Sequence, residues 1–196
     1  MPPSRREELV DAAMRVFYRH GFHASGLDSI LEEGGISRMT LYNHFKSKDE
    51  LIIAALRRRD EIFRNRMMKF VESKAHSPRD KILAVFDFHE QWFTGREFCG
   101  CMFINACAEF GDPNSAPRLI AAEHKRSIVR YLVECVRECG LARPEHVADQ
   151  FNLLIEGAIV TAQTVGLVHD GGTDAGASAR LAREMAQRIL DSAEKA

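Results

Sequence analysis

The 196-residue sequence predicts an all-α fold of about nine helices, and three features carry that prediction. Apolar residues recur at three- and four-residue spacing and almost nowhere alternate. Serines precede acids by three residues where these stretches begin, and glycines stand where they end. Neither an internal repeat nor a low-complexity tract interrupts the pattern.

Leu9, Ala12, Ala13, Val16 and Phe17 form the apolar face of the first helix, with Ser4 and Glu7 as its capping box and Gly21 as its stop. A short helix over 27–33 centres on Ile30 and Leu31 and ends at Gly34 and Gly35. Ser37 caps the next helix, which reaches Phe45. Ser47 and Glu50 make a second capping box, opening a long helix through Leu51, Ile52, Ala55, Leu56, Ile62 and Phe63 towards Phe70. Ser77, Pro78 and Asp80 restart the pattern, because proline fits the first helical turn and an acid suits the positive end of the helix dipole. Ile82, Val85, Phe86, His89 and Phe93 carry that helix to Gly95. Residues 111–114 break the stretch after it, and Gly140 stops a long helix over 116–139. Residues 144–168 read as a long, largely buried helix, separated by Gly171 and Gly172 from a closing helix over 175–193.

A hydrophobic fraction of 45% with 28% charged residues excludes the disordered, collagen-like and disulfide-scaffold classes. The net charge of -1 excludes a generally basic coat but leaves room for a local basic patch. Five cysteines, an odd number in a chain of this length, predict reduced thiols. With no apolar N-terminal stretch and no uninterrupted apolar run of about 18 residues, a cytoplasmic protein without a membrane partner is expected. No nucleophile elbow, Walker loop, dinucleotide fingerprint or H-E-x-x-H motif occurs, so neither an enzyme nor a cofactor is expected.

Two short helices joined by a glycine-containing turn have the shape of a helix-turn-helix, whose second helix enters the DNA major groove. Gly34 and Gly35 supply the turn, and Ile36 drops into the small shared core. Around the apolar pair Leu41 and Phe45, the second helix carries Ser37, Arg38, Met39, Thr40, Tyr42, Asn43 and His44. Hydroxyls, guanidinium, amide and imidazole are the groups that reach phosphates and base edges. Lys48 at the start of the next helix adds a cation to the positive end of a helix dipole, which suits a phosphate.

The run from Ile30 to Leu51 resembles the signature of the TetR family of bacterial transcriptional regulators, with Ala13, Phe17, Gly21 and Phe22 at matching upstream places. The resemblance implies that Thr40, Tyr42, His44 and Lys48 hold phosphates, while Ser37, Arg38, Met39 and Asn43 face the groove. It also implies a double-stranded operator, a homodimer and a small-molecule effector. Gly26 stands where the family often has a capping threonine, with Ser25 expected to supply the hydroxyl, and Leu31 and Gly34 replace usual alanines. Residues 1–50 carry seven basic and eight acidic side chains, so few phosphate contacts per subunit are expected.

The expected division is a DNA-binding domain over 1–50 and a helical ligand-binding and dimerisation domain over 51–196, the character changing inside or just after the long fourth helix. Phe86, Phe88, His89, Trp92, Phe93, Phe98, Met102, Phe103, Phe110, Tyr131 and Phe151 are candidates for a pocket taking an apolar or aromatic molecule, or for ordinary core. Gly157, Ala158, Ala162, Gly166, Ala175, Ala179, Ala182 and Ala186 would let the last two helices approach those of a second subunit. Cys99, Cys101 and Cys107 are candidates for a thiol trigger, or else small buried hydrophobes, and Cys135 and Cys139 share one helix face. Cys-x-Cys without a second pair is no structural zinc spacing, so no metal site is expected. A metal trigger would need His89, Glu90, Glu109 and His124 to converge in space.

Overall fold

A computed structural model describes residues 3–164, 167–169 and 172–196. Among these lie nine helices: α1 (Arg5–His20), α2 (Leu27–Gly34), α3 (Arg38–His44), α4 (Lys48–Lys74), α5 (Pro78–Phe93), α6 (Met102–Glu109), α7 (Ala116–Glu138), α8 (Pro144–Thr164) and α9 (Ala177–Ser192). At α1 and α5 the N-terminal caps are those the sequence predicts. Ser4 accepts the Glu7 N–H at 3.3 Å while the Ser4 N–H donates to the Glu7 carboxylate at 2.7 Å. Ser77 accepts the Asp80 N–H, with Pro78 opening α5. At α4 the box is shifted: Ser47 accepts the Glu50 N–H, but the Glu50 carboxylate takes the N–H of Lys46 instead of Ser47.

The expected helix over 144–168 ends early. After Thr164 come two antiparallel three-residue strands, β1 (Leu167–His169) and β2 (Gly172–Asp174), with Leu167 opposite Asp174. The Thr164 hydroxyl donates to the Val160 carbonyl at 2.8 Å in the last turn of α8. Strands of three residues are too short to show a period. Gly166 and Gly171 lie outside the described residues.

The chain forms two compact units, Met1–Phe63 with Met102–His124, and Arg64–Cys101 with Lys125–Ala196. The division falls inside α4 and inside α7. In the first unit α1 packs on α2 and α3 around Leu9, Val16, Phe17, Phe22, Ile30, Leu41 and Phe45, all buried. There too His124, 4% exposed, stacks on Phe103 at 3.8 Å and donates from Nδ1 to the Asp60 carboxylate at 2.7 Å. In the second unit α5 packs on α8 and α9, with Phe86 against Phe151 and ion pairs from Arg180 to Glu90 and from Arg183 to Asp87. Among the described residues no helix is long and apolar enough to cross a membrane.

Candidate nucleic-acid interface

The turn before α3 depends on Gly35, whose φ of +60° places it in the left-handed region that glycine adopts without penalty. Its N–H closes on the last carbonyls of α2, and the Ile36 N–H bonds the Leu31 carbonyl at 3.0 Å. Ile36 is thereby buried. Ser37 caps α3 by accepting the Thr40 N–H at 3.2 Å, and its hydroxyl lies 2.9 Å from that of Thr40.

Leu41 and Phe45 anchor one side of α3 in the core. Another side carries Arg38, Met39, Tyr42 and Asn43, all exposed, with Met39 at 74% and Tyr42 at 54%. Two large side chains thus stand in water on a seven-residue helix. His44 is exposed and Thr40 half-buried. The Arg38 guanidinium pairs with Asp28 on α2, a partner that sequence reading missed. The only signal for it was an unmatched acid in the preceding helix.

Lys48 is the first residue of α4 and donates from Nζ to the His23 carbonyl at 3.3 Å. Thus Ser37 to His44 come together on α3 and its cap, and Lys48 belongs to the same compact unit. Ser25 does not take the place expected of it. Its buried hydroxyl donates inward to the Gly21 carbonyl at 2.6 Å, and Gly26 begins α2 with no side-chain cap. A cleft of about 500 Å³ beside His44 sets Arg6, Arg57 and Arg58 against Glu7, Glu50 and Glu61, a balance that gives it no preference for anions.

The effector candidates divide between the units. Phe86, Phe88, His89, Trp92, Phe93, Phe98, Tyr131 and Phe151 belong to the second, and Met102, Phe103 and Phe110 to the first. His89, Trp92, Phe93 and Phe98 form one aromatic cluster, with ring centres 5.2–6.0 Å apart along its contacts. Buried His89 donates from Nδ1 to the Val85 carbonyl at 2.7 Å. Tyr131 is half-buried beside Cys135, its phenol pushed up by burial. Phe103 is taken up by His124, and Phe110 packs on Phe22 and His23.

Cys99 and Cys107 are exposed, and Cys101 is 3% exposed. Lys125 donates from Nζ to the Cys101 sulfur at 3.6 Å while holding the Glu156 carboxylate at 2.7 and 2.8 Å. The Cys101 N–H bonds the Gln163 side-chain carbonyl at 3.0 Å. Burial pushes the Cys135 thiol up to about 11 and also raises that of Cys139. The side chains named for a metal trigger are held elsewhere: His124 by Asp60, Glu90 by Arg180, and Glu109 by the turn after α1. Among the described residues no group of three or more metal-ligating side chains forms.

Residues 9–55 match the model of the family described as bacterial regulatory proteins, tetR family. The chain is 28% identical over 170 residues to the HTH-type transcriptional repressor ComR of Escherichia coli, covering 81% of this chain and 79% of the relative. It is 25% identical over 150 residues to the repressor NemR of the same organism, covering 69% and 73%. In fold it is similar to a TetR-family transcriptional regulator of Streptomyces coelicolor, with a TM-score of 0.85 at 24% identity over 97% of this chain and 96% of the other. The reduced form of E. coli NemR superposes with a TM-score of 0.78 at 22% identity, covering 94% and 96%.

Proposed function

We propose, from the premise that this chain is a transcriptional regulator of the TetR family, that it is a repressor whose homodimer leaves a palindromic operator when a small apolar or aromatic molecule binds its helical second half. In this reading Ser37, Arg38, Met39 and Asn43 face the major groove, while Thr40, Tyr42, His44 and Lys48 hold phosphates. The observation that carries it is the α3 face: exposed Met39 and Tyr42 beside Arg38 and Asn43, on a helix pinned by Leu41 and Phe45. Dimerisation sets two such helices about 34–36 Å apart, one turn of duplex, or a multiple of it. The effector acts by binding more tightly to the conformation that fits DNA less well. The pocket is assigned to Phe86, His89, Trp92, Phe93, Tyr131 and Phe151 of the second unit. A reducing cytoplasm suits both the target and the thiols.

Fluorescence anisotropy of the reduced protein on the DNA flanking its own gene, against a scrambled duplex at two salt concentrations, tests the reading. A salt-sensitive complex with the flanking DNA alone is expected. Equal binding to both duplexes overturns it.

A second reading rests on Cys101, whose sulfur meets the Lys125 ammonium. Oxidation of that sulfur would disturb the Lys125 bond to Glu156 and the Cys101 N–H bond to Gln163. Peroxide that releases DNA from the unaltered protein but not from Cys101→Ser supports Cys101 as a thiol trigger; equal behaviour of the two excludes that cysteine as the trigger.

A further inference from the structure

The last residue of α6 is tied to the turn that follows α1. The Glu109 carboxylate accepts the Phe22 N–H at 2.8 and 3.0 Å and the His23 N–H at 2.7 Å. His23 returns a bond from Nε2 to the Glu109 backbone carbonyl at 2.9 Å. The Phe110 ring lies 5.6 Å from Phe22 and 4.8 Å from His23. Gly21 enters this turn at φ +82°, and a Cβ there would come within 2.9 Å of a Glu109 carboxylate oxygen. The seat of the carboxylate thus requires glycine twice, for the backbone angle and for the space. Successive N–H groups converging on one anion form a rigid unit. The same turn presents the His23 carbonyl to Lys48. All these residues lie in the first unit.

We propose that Glu109 is a positioning residue for DNA binding: its carboxylate fixes the turn over 21–23, and the His23 carbonyl in that turn aims the Lys48 ammonium at a phosphate. Glu109 touches no DNA itself. The inference rests on the reading of Lys48 as a phosphate contact. Replacing the carboxylate with a carboxamide removes the charge, leaves one acceptor oxygen for both N–H groups and sets an NH₂ against the Phe22 N–H that Oε1 accepts at 3.0 Å, so the turn loosens.

The test uses the full chain as Glu109→Gln, Glu109→Asp, Lys48→Met and the double variant Glu109→Gln/Lys48→Met. The probe is a duplex selected by the unaltered protein from a random library. Amide exchange at Phe22 and His23 reads the turn, and anisotropy at several salt concentrations reads the contact. Glu109→Gln is expected to speed exchange at those two amides at least about tenfold and to weaken binding about tenfold. It should flatten the salt dependence by about one phosphate, as Lys48→Met does, and the double variant should bind no worse than Lys48→Met. Glu109→Asp, which keeps the charge with a shorter reach, should fall between and reports on the carboxylate if the glutamine variant fails to fold. Additive losses, or an unchanged salt slope in a folded Glu109 variant, overturn the proposal. Lys48→Met binding like the unaltered protein removes the phosphate assignment and the proposal together. A library that yields no preferred duplex removes the regulator reading itself, and the proposal with it.

Discussion

Asn43 and Cys135 show how the same kind of side-chain detail reads outward and inward. Asn43 is exposed on α3, and a carboxamide there can bond an adenine edge with two hydrogen bonds. Asn43→Ala is expected to lose about 1–3 kcal/mol at one base pair of the operator and little at the others. Binding to a set of duplexes, each changed at a single base pair, checks this; a uniform loss would make Asn43 a backbone contact. Cys135 is buried on α7, its thiol raised to about 11 by desolvation, with the Tyr131 phenol beside it raised in the same sense. The unfolded chain releases the thiol proton near about pH 8.5, whereas the folded one keeps it. Between about pH 9 and 11 the native state therefore holds more protons, and stability falls as pH rises. Thermal melts across that window should decline for the unaltered protein and decline less for Cys135→Ala.

At the scale of elements, caps and glycine stops decided most of what the sequence disclosed. A serine three residues before an acid marks a helix start through bonds made within one turn, so the starts of α1 and α5 were legible to the residue. Helix α3 was legible for the same reason, its turn and cap being local. Pairing across long separations was not. Glu109 meets a turn 87 residues away, and nothing near either partner in the chain marks it for the other. Ser25 misled because a hydroxyl can serve a phosphate or a carbonyl, and only the fold shows which is near. His124 belongs to this long-range class as well, joining α7 to α4 through Asp60 and to α6 through Phe103. His124→Ala removes a charge-assisted bond and leaves a void beside Phe103. A cost of about 2–4 kcal/mol is expected, read as a lower urea midpoint with an unchanged slope.

For the whole molecule the decisive quantity is how little one reader helix can hold. Residues 1–50 carry no net positive charge, so under the proposed function a single copy would gain few released counterions on DNA. Coupling two readers makes the second engagement intramolecular and can raise affinity by about 10²–10⁴. The small residues expected at the dimer face turn out to be partly consumed within the chain. Ala158, Ala179, Ala182 and Ala186 are buried, and Ser178 bonds the Ala158 carbonyl at 3.0 Å. What α8 and α9 leave in water is Leu153 at 72% exposure, Val160, Leu181 and Met185, together with Gly157 of the expected set, in line between Leu153 and Val160. Apolar side chains at i and i+7 on one helix, with a glycine between them, and at i and i+4 on the next fit the self-complementary patch of a twofold dimer. Leu153→Glu combined with Leu181→Glu places like charges on both copies of that patch. Sedimentation should then give a monomer with an unchanged helical spectrum, and operator affinity should fall at least about a hundredfold. A double variant that stays dimeric would put the interface elsewhere; a monomer that still binds the full operator at the original strength would mean that one helix suffices.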